Sequence, residues 1–246
     1  MYVASKTIIT LVIIVFDAMS NKDDVESSTS SGNTTMALAV YEPPKLFTIF
    51  RSDVREFSFA GRSVKINQEW ERNGVAAVVW DAALVLAKYL ERTSVDLAGK
   101  RVIELGAGTG LVGIVASYLG ADVVITDRRS ALDLTIQNVH KNTRESTKIE
   151  VAELEWGQGV SRFDPPFDFI IGADIVYIEE TFSLLLRTIE ELSDDKTVVL
   201  LSCRLRYKRD EDFFEMLRGK FIVTKLHFDE TVNIHIFKAQ KKEIYT

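Results

Sequence analysis

The stretch RVIELGAGTGLVG at 101–113 constrains this chain more than any other. It opens with Val102, Ile103 and Leu105, an apolar, β-branched run of strand length. It breaks into glycines at Gly106, Gly108 and Gly110, then resumes over 111–119 with the apolar spacing of a helix. Strand, glycine turn and helix in that order make the βα unit from which open α/β sheets are built. Glycines at the turn let the backbone enter the left-handed region and approach a ligand with no Cβ in the way.

The spacing of the glycines narrows the ligand. A dinucleotide fingerprint, G-x-G-x-x-G, needs its last glycine at 111, and that residue is Leu111. The pattern is instead Glu104-x-Gly106-x-Gly108-x-Gly110. An acid two places before the first glycine repels a pyrophosphate but suits an ammonium. The next predicted strand, 123–127, ends in Asp127, whose carboxylate can accept both hydroxyls of a ribose. A ribose, a positively charged amino-acid end and no diphosphate describe S-adenosylmethionine. The plainer alternative is a glycine turn that only joins strand to helix, and Glu104 with Asp127 weighs against it.

Trp80 and Trp156 fall beside this unit. Trp80 stands where an extended segment meets a helix for which Asp81 is a plausible N-cap. It can wall a pocket or pack in the core. Trp156 follows the predicted strand 149–154, on the edge of an α/β sheet where ligands bind, and can stack on an adenine. The run 167–173 reads as a strand buried on both faces and ends in Asp174-Ile-Val-Tyr177. The plain alternative for Asp174 is an N-cap on the helix that follows, with Tyr177 packing.

The remaining elements complete an α/β order. Residues 56–68 alternate around Ala60-Gly61-Arg62 and predict a short N-terminal β-hairpin, an accessory to the sheet. Helices are expected over 131–142, 179–192 and 210–217, and a strand over 197–202. Two closing strands, 221–226 and 232–238, read as a hairpin. The expected fold is therefore α/β: a doubly wound, mostly parallel seven-stranded sheet with helices on both faces and an antiparallel C-terminal hairpin. Arg204, Arg206, Lys208 and Arg209 form a basic cluster that either contacts an acidic protein surface or lines a solvated loop.

Composition sets bounds. A chain of 246 residues, 46% hydrophobic and 27% charged, suits one well-cored soluble domain with an appendage. The appendage is residues 1–35, and the domain is 36–246. An apolar run at 8–16 resembles the h-region of a signal peptide but is shorter than the ~20 residues that span a bilayer. Residues 21–35 are polar and expected to be disordered. A disordered extension, or sequence upstream of a start at Met36, is favoured over a targeting segment. The net charge of -6 argues against a nucleic-acid partner. Cys203 is the single cysteine, so no intrachain disulfide is possible, and a reducing, cytoplasmic setting is expected. His140, His227 and His235 are scattered, and no metal site is expected. A monomer without a stable membrane span is expected.

Taken together, the E-x-G-x-G-x-G run, Asp127, the terminal hairpin and Asp174-x-x-Tyr177 resemble a seven-stranded, class I methyltransferase dependent on S-adenosylmethionine. GVAAVVWDAA at 74–83, ELGAGTGLVGIVA at 104–116, ITDR at 125–128, EWGQ at 155–158, GADIVY at 172–177 and CRLRY at 203–207 are similar to the methyltransferase-like twenty-one group of protein-lysine methyltransferases. The likeness runs from about residue 36 to the C-terminus. It implies that Gly106, Ala107 and Gly108 lie along the cofactor's methionine and ribose, and that Asp127 takes the ribose hydroxyls. It implies that Trp80 and Trp156 border the cofactor, that Ala173 meets the adenosyl group, and that Asp174 and Tyr177 serve the target amine. By these motifs the nearest member of the group methylates a lysine of seventy-kilodalton heat-shock chaperones, so such a chaperone is the expected protein substrate.

Overall fold

The computed structural model describes residues 52–69, 74–93, 95–144 and 147–242. The readings made for residues 1–35, and for the start of the domain at 36, lie outside the described residues.

Strands β1 (Val54–Phe59) and β2 (Arg62–Asn67) pair antiparallel, with Phe59 opposite Arg62. Ala60 and Gly61 form the two-residue turn, both at positive φ, as a tight hairpin requires. Helix α1 (Asp81–Arg92) follows, with Ala82, Val85, Leu86 and Leu90 on its buried face. Then come β3 (Arg101–Leu105), α2 (Leu111–Tyr118), β4 (Asp122–Asp127), α3 (Arg129–Asn142) and β5 (Ile149–Glu153). The second half holds β6 (Phe169–Ala173), α4 (Phe182–Leu192), β7 (Val198–Cys203), α5 (Lys208–Lys220), β8 (Phe221–Asp229) and β9 (Ile234–Lys241).

The seven-stranded sheet has the order β5-β4-β3-β6-β7-β9-β8. β5 to β7 run parallel, and β9 joins β7 antiparallel and pairs with β8 as a hairpin. Strand alternation sorts the core into two layers. Val102, Ile171 and Leu200 face α1 and α2, while Ile103, Ile170, Val199 and Leu201 face α4 and α5. The second layer is rich in aromatics: Phe213, Phe214 and Phe221 are fully buried, each stabilising the fold by ~1.5–3 kcal/mol. The chain builds outward from β3 through β4 to β5, then returns to the other side of β3 with β6. The order thus reverses between β3 and β6, which opens a crevice beyond the carboxyl ends of those strands.

Three details differ from the sequence reading. The N-terminal hairpin is a sheet of its own rather than an edge of the main one. Phe59, Val64 and Ile66 bury into the helical layer, and the Asn142 side chain of α3 bonds both Lys65 backbone groups. Asp81 is not the N-cap of α1: Trp80 holds that place in extended conformation, and Asp81 is the first helical residue. Helix α5 starts earlier than residue 210. Asp210 sits inside its first turn and accepts the Tyr207 N–H, which closes the start of the helix.

Candidate functional site

The glycine turn after β3 bends by left-handed backbone at Gly106, Gly108 and Gly110, with φ of 60°, 55° and 78°. Two of these glycines are also required by space. A Cβ at Gly106 would lie 2.8 Å from Ile175 Cγ2 and 3.3 Å from the Trp156 ring. A Cβ at Gly108 would lie 2.8 Å from the Ala76 carbonyl oxygen. Ala107 donates its N–H to the Thr126 carbonyl, which ties the turn to the end of β4.

Asp127 closes that tie. Its Oδ2 accepts the Gly108 N–H at 2.7 Å and its Oδ1 the Arg128 N–H at 2.7 Å. Burial raises its pKa, and the two N–H bonds with the nearby Arg128 charge oppose the rise. Each oxygen keeps a free lone pair, so the carboxylate can still accept a pair of hydroxyls.

Glu104 lies beneath the turn, only 2% exposed. Its Oε2 accepts the Gly113 N–H of α2 at 2.8 Å. Burial pushes its pKa up to about 8; the Gly113 bond opposes this and the Asp127 charge adds to it. Gly113 must be glycine, because a Cβ there would lie 2.5 Å from both Glu104 Oε2 and Ile125 Cγ1. The sequence reading had Glu104 facing an ammonium. The structure gives it a helix to hold as well.

Trp156 stacks its edge against the glycine turn from beyond β5. Its neighbour Gly157 donates to the Thr188 hydroxyl of α4 at 2.7 Å, which fixes the loop. Ala173 ends β6, half-buried at the crevice. Trp80 is half-buried at the N-terminus of α1, where its carbonyl accepts the Ala83 N–H.

Asp174 follows directly, with φ of 54°, a conformation that few residues other than glycine, asparagine and aspartate adopt. Its N–H donates to the Ser202 carbonyl at 2.8 Å. Arg206 Nη1 approaches Oδ1 to 3.6 Å, an ion-pair distance, yet Oδ1 is buried with no hydrogen-bond partner. Burial raises the Asp174 pKa; Arg206 and then Arg204 oppose the rise, and Asp81 adds to it. The N-cap alternative fails, because the following 3-10 turn spans Glu179–Thr181 behind Ile178. Tyr177 is half-buried and sits within electrostatic reach of Arg128, Asp127 and Asp174, so it lies between the two acids.

The basic cluster does not form one patch. Arg204 reaches Asp81 at 3.7 Å and the Val232 carbonyl at 2.9 Å, and Arg206 turns to Asp174. Lys208 pairs with Asp212, and Arg209 lies over the Tyr207 ring.

The sequence reading missed the supports of the turn. Thr135 of α3 donates to the Gly108 carbonyl, and Asn138 Nδ2 donates to the carbonyls of Thr109 and Asn67. Both side chains are fully buried, and their i, i+3 spacing on the apolar face of a helix was the available signal. Gln68 is likewise buried and accepts the Val79 N–H, fixing the segment that passes over Gly108.

The cradle, the acid beside it and the aromatic wall fit a nucleoside with an amino-acid tail. Among the described residues no group of His, Cys, Asp and Glu could hold a metal ion, and no helix is long and apolar enough to cross a membrane.

Residues 58–220 match the sequence model of a family described as lysine methyltransferase. A Danio rerio protein named Protein N-lysine methyltransferase METTL21A is 51% identical over 217 residues, spanning 86% of this chain and 99% of its own. A Mus musculus protein named EEF1A lysine methyltransferase 3 is 42% identical over 203 residues, 81% of this chain and 88% of its own. In fold, the chain is similar to the T. Thermophilus 16S rRNA N2 G1207 methyltransferase (RsmC), solved with AdoMet and guanosine. The TM-score is 0.59 at 17% identity, over 77% of this chain and 50% of that one.

Proposed function

Because this chain belongs to the lysine methyltransferase family, as an S-adenosylmethionine-dependent protein-lysine methyltransferase of the methyltransferase-like twenty-one group, we propose that it methylates a lysine of a seventy-kilodalton heat-shock chaperone through Asp174 and Tyr177. The observation that carries the site assignment is Asp174 itself. It is a buried acid in left-handed backbone at the switch point of the sheet, with one oxygen lacking a hydrogen-bond partner.

The bound cofactor supplies an electrophilic methyl group on a sulfonium. Gly106, Ala107 and Gly108 cradle its amino-acid end and ribose, Asp127 accepts the ribose hydroxyls, and Glu104 places negative charge behind the turn. Trp156, Trp80 and Ala173 border the adenosyl group. The acceptor lysine arrives as an ammonium, with a free pKa of ~10.4, and must be neutral to attack. Asp174 draws the ammonium in and orients it. Burial raises the Asp174 pKa, and the same dry surroundings lower that of a lysine, so the gap a proton must cross narrows from both sides. Tyr177 walls the approach. Positioning and exclusion of water carry most of the acceleration.

The chaperone reading is supported by the motif likeness and by an identity to the METTL21A proteins above that to the elongation-factor enzyme. That second relative, named for EEF1A, supplies the alternative substrate. The protein is taken to act as a monomer in the cytoplasm. The test is transfer of labelled methyl from S-adenosylmethionine into a lysate, with wild type beside Asp174→Ala, read by gel and peptide mass. One labelled band near seventy kilodaltons, on lysine and absent with the variant, is expected. A band that maps to an elongation factor would discard the chaperone and keep the enzyme.

A further inference from the structure

The CRLRY segment after β7 has no task in the methyl-transfer reading, yet two of its side chains reach the site. Arg204 and Arg206 are two residues apart in extended backbone, so they leave the chain on one side. Each turns to a different acid: Arg204 Nη2 to Asp81 Oδ2 at 3.7 Å, Arg206 Nη1 to Asp174 Oδ1 at 3.6 Å. The Arg206 backbone is pinned. Its N–H donates to Asp210 Oδ2 at 2.8 Å, the same oxygen accepts the Tyr207 N–H at 3.0 Å, and Asp210 is buried in the first turn of α5. The guanidinium is therefore carried on a fixed loop rather than a swinging one.

The 3.6 Å separation lies within Coulombic reach but beyond a hydrogen bond. Arg206 thus offers charge to Asp174 without occupying Oδ1, which stays available to another donor. The charged and titratable groups facing Asp174 come from three elements: Arg206 and Arg204 from the loop after β7, Asp81 from α1, and Tyr177 from its own loop. Cys203, at the end of β7, is also within reach; its thiol is raised far out of the neutral range and carries no charge. Against Asp81 and burial, the two arginines are the groups that favour an ionised Asp174.

We propose that Arg206 is a positioning residue for methyl transfer: it keeps the Asp174 carboxylate ionised and turned toward the acceptor while leaving Oδ1 free for the incoming ammonium. This rests on the assignment of Asp174 given above. Loss of the guanidinium raises the Asp174 pKa further, so the variant enzyme suffers most where protons are plentiful. The acceptor's own titration is common to both enzymes and cancels in the ratio of their rates.

The experiment measures initial rates of labelled-methyl transfer into limiting lysate protein from pH 6 to 9, for wild type, Arg206→Gln, Arg206→Lys and Asp174→Asn. Calorimetric binding of S-adenosylmethionine checks the fold of each. The Arg206→Gln to wild-type rate ratio should climb by about tenfold from pH 6 to pH 9, as a shift of one pKa unit dictates. Cofactor affinity should hold, and Arg206→Lys should keep a flat ratio near unity. A ratio for Arg206→Gln that is lowered equally at every pH, or not lowered at all, would overturn the proposal while an inactive Asp174→Asn leaves the Asp174 assignment standing. A pH-dependent loss in Arg206→Lys would overturn it whatever Arg206→Gln does. Activity retained by Asp174→Asn would remove the assignment itself.

Discussion

On the β3–β4–β5 half of the sheet the buried acids are tied to backbone. Glu104 holds α2 through the Gly113 N–H, and Asp127 holds the glycine turn through Gly108 while also taking the Arg128 N–H. On the β6–β7 half, Asp174 has an arginine at ion-pair distance and an oxygen with no hydrogen bond, in backbone that disfavours most side chains. Buried polar groups are nearly always satisfied, and exceptions gather at working sites. The first half is built as a rigid cradle. The second keeps one acid in a state that improves only when another donor arrives.

The largest effect that would break this contrast is at Asp174. Replacing it with Asn keeps size and tolerance of left-handed backbone but removes the buried charge. Methyl transfer should fall by on the order of 10²-fold or more, the range seen for groups that manage a proton. Stability should hold or rise at neutral pH. The sign follows from the direction of the shift: a carboxylate whose folded pKa is raised destabilises the fold as pH climbs past its ordinary value, and Asn has no such term. Thermal melting beside single-turnover rates checks both arms. A less stable Asp174→Asn would mean the acid is structural, as its neighbours across the sheet are.

Gly108→Ala tests the cradle from the other side, with a smaller effect on turnover. The new Cβ would meet the Ala76 carbonyl at 2.8 Å, at a φ of 55°. Strain of ~1–3 kcal/mol is expected, together with weaker cofactor binding, and little change in kcat once the cofactor saturates. Calorimetry and saturation kinetics separate the two. Asn138→Leu comes next. It leaves the Asn67 N–H and the Thr109 carbonyl without their side-chain partner, and should lower stability by ~1–3 kcal/mol. Cofactor affinity should fall with it, because the glycine turn and the N-terminal hairpin share that one side chain.

Much of the cradle was legible because it is local. The glycine spacing, Glu104 and Asp127 lie within one βα unit and the strand after it, and a period-two or glycine signal marks each. The doubly wound order was legible for the same reason, as were the two closing strands. The hairpin's docking was not, since nothing in 54–67 says whether its apolar face meets a sheet edge or Asn138 and Asn142 of α3. The cap of α1 was misread because Asp81 looks like a cap in sequence, whereas in the fold it faces Arg204. The arginines of CRLRY looked like surface charge. Only the pairing of β6 with β7 sets Arg206 beside Asp174, and such a neighbour across two strands leaves no mark in local pattern.

The smallest effect sharpens the comparison within the cradle. Glu104 has a folded pKa of about 8, raised above the ordinary carboxylate value chiefly by burial. Between those values the folded protein holds a proton that the unfolded chain has lost, so stability declines as pH rises through the window and levels off above about 8. Glu104→Gln keeps an oxygen for the Gly113 N–H and abolishes the titration. Its melting temperature should match wild type near pH 5 and exceed it by pH 8.5, by about 2–4 °C for each kcal/mol of charge burial removed. Parallel melting curves across that range would mean that Glu104 is solvated or matched by charge in the free protein. It would then belong with Asp174, as an acid awaiting a ligand, rather than with Asp127 as part of the cradle.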